Sequence, residues 1–241
     1  MASNLAGFGL PERLRCSSGV RAACEGTQSV EEAAQSLCEF FYDELIDPEG
    51  KRACALVRFY VTQPFARLPR ELKEFARSAA GGLPIGEESR CLTLLATVGD
   101  EREWNSRFES RGHQAIPLLN AEMVEKAPMI AELLKAFGLN TKDVVGNLGP
   151  IVPDLGGKSY GVFYVPDAKG SEYIPAQTDF VVPHGIKSVV GCGSALSSGE
   201  LFAMIIFAKI PVTAESADRF RPLALDAKAS LLRFSADDIF E

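Results

Sequence analysis

Histidine and tryptophan are scarce: the chain holds two histidines, His113 and His184, and one tryptophan, Trp104. Any imidazole chemistry must use one of those two residues. A metal site of three or four converging ligands finds no clustered His, Cys and carboxylate spacing to build on. No metal is therefore expected, although haem stays open, because its iron needs only one axial imidazole. The six cysteines, at 16, 24, 38, 54, 91 and 192, include no C-x-x-C pair. That excludes the usual zinc and disulfide frameworks and points to reduced thiols packed as small apolar side chains. No apolar run approaches the roughly 20 residues a membrane helix needs. The N-terminal MASNLAGFGLPERLR has no basic segment followed by an apolar core, so no secretory signal is expected and the location is read as cytoplasmic. Positive charge is in deficit as well, with 25 Lys and Arg against 32 Asp and Glu. An acidic chain of this kind is not expected to bind nucleic acid or an anionic membrane.

What is present fits one globular domain of 241 residues with short extensions, 46% hydrophobic and 24% charged. There is no internal repeat, no low-complexity tract and no linker long enough to separate a pair of domains. Residues 1–28 carry small and turn-forming residues without a sustained period and read as an arm or short helix that packs on a partner subunit. Ser29-Val30-Glu31-Glu32 is a capping box, and Val30, Ala34, Leu37, Phe41 and Leu45 form one apolar stripe, so a helix is predicted over 29–46. Residues 53–61 read as a strand, with Ala55, Val57, Phe59 and Val61 on one face and Cys54, Leu56, Arg58 and Tyr60 on the other. A short helix follows over 69–80, stopped by Gly81-Gly82, and then a strand over 91–98. The stretch 114–118 is short and extended, an edge-strand candidate. Residues 121–137 read as a helix reset at Pro128, residues 141–158 as a loop, and 160–165 as another strand.

The stretch from Asp179 to Phe234 is the most informative. Residues 186–196 and the wholly apolar Leu201–Ala208 read as a β-hairpin joined by the polar Ser197–Glu200 turn. Thr213 caps a helix predicted over 213–233, in which Ala217, Phe220, Ala224, Ala227 and Leu231 recur at helical spacing. The segments "HGIKSVVG", "GELFAMIIF" and "VTAESADRFRPLALDAKASL" resemble the C-terminal half of a GAF domain, and the entry through helix 29–46 into strand 53–61 resembles its beginning. The segments "CLTLLATVGDEREWNSR", "HQAIPL" and "YIPAQTDFVVPHGIKSVVG" are similar to input regions that precede histidine kinases or cyclases.

The resemblance implies an α+β fold of the GAF/PAS type, with a central antiparallel β-sheet of five or six strands. Its domain would run over 29–234 with a long insertion near 99–160, between an N-terminal arm (1–28) and a C-terminal tail (235–241). Helices 29–46 and 213–233 would cover one sheet face. Helix 121–137 with loops 99–120 and 166–184 would roof a cavity on the other. The implied role is a non-catalytic sensory or regulatory domain in bacterial signalling, binding a small molecule or acting as a homodimer on a separate output protein. No cofactor is identified.

The ligand-binding candidates are Trp104, His113, Phe163, Tyr173, Gln177 and His184 in the roof, with Arg58 and Cys192 from the floor. A pocket of mixed aromatic and polar groups suits a small planar or cyclic ligand. The alternative is that the aromatics fill a core beneath long loops, and that each histidine bonds a loop carbonyl. Gly191-Cys192-Gly193-Ser194 lacks the fingerprint and the strand-to-helix setting of a phosphate loop, so its glycines read as places of close backbone approach. Ser194, Ser197 and Ser198 lie in no G-x-S-x-G elbow, and no hydrolase triad is expected. The enzymatic alternative is a thiol enzyme using Cys91 or Cys192, similar to GAF-fold methionine sulfoxide reductases, although their cysteine pattern does not map onto this chain. Bilin attachment beside a Cys-His pair is disfavoured, because no cysteine adjoins a histidine. A purely structural dimerisation module is the third reading.

Overall fold

The computed structural model describes residues 2–125, 128–140, 144–145, 160–196 and 198–240. Its elements in chain order begin with β1 (Ser3–Asn4), α1 (Leu10–Cys24), α2 (Val30–Glu44), β2 (Leu45–Ile46), β3 (Cys54–Pro64), α3 (Arg70–Ala79), β4 (Arg90–Gly99) and β5 (Ala115–Pro117). They continue with α4 (Ala121–Glu125), α5 (Pro128–Ala136), β6 (Tyr160–Val165), β7 (Ser188–Ala195), β8 (Leu201–Ala208), α6 (Ala214–Asp218) and α7 (Arg221–Leu231). Six strands form one antiparallel sheet in the order β5-β4-β3-β8-β7-β6, flanked by helices, as the predicted α+β class requires.

Strand β8 has both neighbours and both faces covered, which explains why it is apolar throughout. Phe202, Met204 and Ile206 join the core on one face, while Leu201, Ala203, Ile205 and Phe207 join the core on the other. On the first face lie α1, α2 and α7, whose buried Val20, Leu37, Phe41, Leu223 and Leu231 share one core with Phe59, Phe202 and Phe220. The segment predicted as an arm or short helix thus contains α1, tied to α7 by Ser17 Oγ donating to Asp226 (2.6 Å) and by the Arg21–Asp226 ion pair (3.0 Å). The tail closes the same layer: the amides of Val30 and Glu31 donate to the carbonyls of Asp238 and Ile239.

Local chemistry accounts for the helix ends. Ser29 Oγ accepts from the amide of Glu32 (3.0 Å), and the Glu32 carboxylate accepts from the amide of Gln28 (2.6 Å). Predicted helix 29–46 stops at Glu44, because Leu45–Ile46 leave it to pair in parallel with β1. Predicted helix 213–233 is two helices. Thr213 Oγ1 accepts from the amide of Ser216 (3.1 Å) to start α6, and Pro222, which has no N–H for an i−4 bond, stands in the first turn of α7. The reset expected at Pro128 adjoins residues 126–127, which lie outside the described residues, as do most of the 141–158 loop and Ser197.

Two register irregularities in β3 correct the simple alternation. A bulge between Cys54 and Leu56 sends Cys54 into the helical-side core and Ala55 to the opposite face beside Leu56, reversing the faces predicted for both residues. A second irregularity lies opposite Leu95, between Phe59 and Tyr60.

Candidate functional site

The second sheet face is read most clearly as rows of paired residues. One row runs Thr97–Arg58–Ile205–Gly191–Phe163 across β4, β3, β8, β7 and β6. The rows on either side are Gly99–Leu56–Phe207–Val189–Val165 and Leu94–Tyr60–Ala203–Gly193–Gly161. Over the β6–β7 end the face is closed by α5. A Cβ on Gly161 would land on the carbonyl oxygen of Ala136, and one on Gly193 would strike the Phe202 carbonyl oxygen of β8 and lie 2.6 Å from the ring of Phe137. A Cβ on Gly191 would stand 3.2 Å from Leu133. These glycines let a helix lie flush on the sheet, which is the close approach expected of Gly191-Cys192-Gly193.

Over the β3–β4–β8 end the cover is loop interrupted by two short helical turns, a 3-10 turn at Arg102–Trp104 and a π turn at Gln177–Val181. Asp100, leaving β4, accepts from Tyr42 Oη (2.6 Å) and Lys209 Nζ (2.9 Å). Asn105 then folds the chain back by bonding the amide and carbonyl of Gly99 (3.1 and 3.0 Å). This sets Trp104 over the Gly99–Leu56 pair, where its ring meets His184 at 4.5 Å and Phe180 at 5.5 Å. Phe180 stands edge-on to Phe207 at 4.9 Å, and His184 Nδ1 lies 3.6 Å from a Glu101 carboxylate oxygen. Further along the same loop, Arg107 is 7% exposed and pairs with Glu31 and Glu71 between the rings of Phe108 and Phe240. Ser110 and His113 return the loop to Arg58. Arg58 Nη2 donates to Ser110 Oγ (3.1 Å) and Nη1 to Tyr60 Oη (3.4 Å). His113 adopts φ 61°, and its imidazole is held below its ordinary pKa by burial and, secondly, by the Arg58 charge.

The eight candidate residues therefore fall into separate places. Trp104 and His184 meet; Arg58 and His113 are neighbours; Phe163 and Tyr173 stack edge to face at 5.9 Å. Phe163 and Arg58 share a row but sit three strands apart, roughly 14 Å at ordinary strand spacing. Gln177 staples its own loop, donating to the carbonyls of Ala168 and Ile174 and accepting from the amide of Gly170. Cys192 is not a floor residue of this face: it pairs with Val162 and Met204 and points into the helical-side core. Alternation along β7 decides this, since Gly191 and Gly193 already face α5.

All six thiols are buried. Burial pushes the Cys16, Cys54, Cys91 and Cys192 thiols up from 9.0 to about 12, and Cys24 and Cys38 upward as well. Among the described residues no three His, Cys, Asp or Glu side chains converge as a metal site, and no helix is long and apolar enough to cross a membrane. Two surface clefts of about 430 Å³ each lie in the outer helical layer, one against Phe40 and Glu44 and the other against Leu10 and Pro222. Neither touches the loop-covered face.

Thr97, Tyr60, Ser110 and Phe180 are not among the site residues that sequence reasoning marks. Only Thr97 carries a local signal, a hydroxyl inside the apolar run Cys91–Val98.

No family model matches the chain, and no curated protein matches it. Among solved structures it is similar to an N-acylhomoserine lactone dependent LuxR family transcription factor from Burkholderia cenocepacia, with 12% identity, 92% of this chain and 94% of that one covered, and a TM-score of 0.42. It is also similar to a phycoerythrobilin-bound GAF domain from a cyanobacterial phytochrome, with 10% identity, 92% of each chain covered and a TM-score of 0.43. For the photosensory core module of the Stigmatella aurantiaca phytochrome the figures are 9% identity, 96% of this chain, 38% of that one and 0.41. Likeness this low carries no argument about function.

Proposed function

We propose that this chain is a GAF-like sensory or regulatory domain of bacterial signalling, spanning 29–234, that binds a small molecule over the β3–β4–β8 end of the sheet. Dimerisation through its helical layer and a separate output protein complete the reading, with the cytoplasm as its place of action. The carrying observation is the unlike cover of the two sheet faces. One face is sealed by long helices around an apolar core. The other, between α5 and the sheet edge, is covered by loop segments that bring Trp104, Phe180 and His184 together above a floor containing a guanidinium. Loops on a rigid scaffold are where binding residues concentrate.

The thiol-enzyme alternative draws no support from the cysteines. A catalytic thiol needs a lowered pKa and access, whereas these are buried and shifted upward. Native and denatured masses of freshly purified protein test the proposal. An added mass lost on denaturation is expected, with or without a dimer mass. An apo monomer that stays monomeric at high concentration would sink both halves of it.

A further inference from the structure

Arg58 is half-buried, and no carboxylate among the described residues pairs with it. Its bonds go to two neutral hydroxyls, those of Ser110 and Tyr60, and its Nε is buried without a partner. Directly across the β3–β4 ladder, Thr97 is fully buried and its Oγ1 also has no partner. Directly paired strand residues carry their Cβ atoms roughly 4.5–5.5 Å apart, so the two unsatisfied donors come from adjacent positions on one face. A charge taken from water without a counter-charge is costly, and orphaned buried polar groups are few in native folds. Two of them on directly paired residues of one face, one on a cation, call for a common acceptor.

We propose that Arg58 and Thr97 anchor the oxyanion head, carboxylate or phosphate, of the small molecule that this module senses. The proposal rests on the sensory reading above and names its ligand class. The guanidinium supplies charge and a directed N–H, and the threonine hydroxyl supplies a second donor for the other oxygen. The next row along the face, Leu56–Gly99–Phe207, lies roughly 7 Å away at two residues' rise. That row carries Trp104, with Phe180 and His184 against it. A flat ring attached directly to the oxyanion therefore spans the anchor and the aromatic group.

Trp104 is the chain's one tryptophan, so its emission reports on this place alone. The full chain is titrated with sodium acetate, benzoate and phosphate, and with neutral benzamide, at ionic strength held constant with sodium chloride. Emission and melting temperature are both followed. A saturable emission change and a raised melting temperature are expected from an oxyanion and not from chloride, with benzoate tighter than acetate. Phosphate against the carboxylates tells which oxyanion is preferred. Arg58→Met should weaken the response at least tenfold and Thr97→Val several-fold. Without added anion, Arg58→Met should melt at or above the parent, because it removes an unpaired charge. The proposal fails if no oxyanion changes Trp104 emission beyond chloride, or if Arg58→Met responds as the parent does. It fails equally if the variant, folded by circular dichroism, melts well below the parent. Benzamide or a neutral co-purified molecule bound alike by parent and Arg58→Met would overturn the oxyanion and leave the sensory reading standing. Absence of any response together with an apo monomer mass would remove both.

Discussion

Replacing Gly161 by alanine tests whether α5 is seated on the sheet as described. Gly161 and Gly193 are cross-strand partners, and together they form the flat floor under the end of α5. The added Cβ meets the backbone carbonyl of Ala136, and at Gly193 it meets first the carbonyl oxygen of Phe202 in β8, then Phe137 at 2.6 Å and Ala203 Cα at 3.0 Å. Backbone atoms cannot rotate aside as a side-chain end can. Either α5 lifts, thinning its contacts through Leu133 and Phe137, or β6 bends. Overpacking of a close-packed site costs about 1–3 kcal/mol and more where the neighbour is rigid, so about 3 kcal/mol is expected for Gly161→Ala. In a domain of this size each 1 kcal/mol lowers the melting temperature by about 2–4 °C, giving a fall of roughly 6–12 °C. Gly112→Ala is the control, since its Cβ meets nothing within 4 Å, and it should stay within about 0.5 kcal/mol of the parent. Calorimetry with urea denaturation reads both. A Gly161→Ala protein within about 0.5 kcal/mol of the parent would refute the seating.

Arg107→Leu removes the guanidinium shared by Glu31 and Glu71 and should cost about 3 kcal/mol in urea denaturation, against under 1 kcal/mol for the exposed Arg70→Ala. The cysteines give a pH prediction. Their folded pKa lies above the unfolded value, so their contribution is whole below pH 9.0 and is lost as pH rises toward about 12. Stability followed from pH 8 to pH 11 should therefore decline, and a native-state thiol assay near pH 7 should label slowly until denaturant exposes all six thiols. His113 works in the opposite direction: with its folded pKa lowered, its contribution is present above 6.5 and lost as pH falls through the folded value. His113→Asn, which tolerates the positive φ, should flatten stability below pH 6.5, and a proton NMR titration of the parent should place His113 below free imidazole. Ser29→Ala deletes the cap on α2 and should cost about 1 kcal/mol by thermal melting.

Much of this architecture is legible in the sequence because it is local. A capping serine beside the 3.6-residue stripe of 30–45 predicts α2, and a polar turn between two short apolar runs predicts the β7–β8 hairpin. Both follow from bonds and periodicities spanning a few residues, whatever the rest of the chain does. Thr213 reads as a cap for the same reason. Pro222 also carries a local signal, yet the predicted helix runs through it where the chain starts a new one. The candidates include an aromatic pair that meets, Trp104 and His184, because both flank predicted strands on loops that cover one face.

Other features exist only after distant segments pair. Strand alternation gives Cys54 and Ala55 their faces only if no residue is inserted, and the bulge that swaps them is visible in the pairing of β3 with β8. Whether Cys192 lines the floor or the helical core depends on which face of β7 receives α5. Arg58 and Thr97 lie in different strands, and a register irregularity separates them from the Tyr60–Pro64 part of their ladder, so no spacing in the sequence makes them neighbours. The sequence by itself determined most of the central strands, the caps at Ser29 and Thr213 and the apolar centre of the sheet, because those depend on short-range sterics and hydrophobic period. The tertiary structure alone decided which glycines seat α5 and that Arg58 and Thr97 stand at paired positions on one sheet face. Register and layer packing are long-range choices, settled by the energy of the whole core.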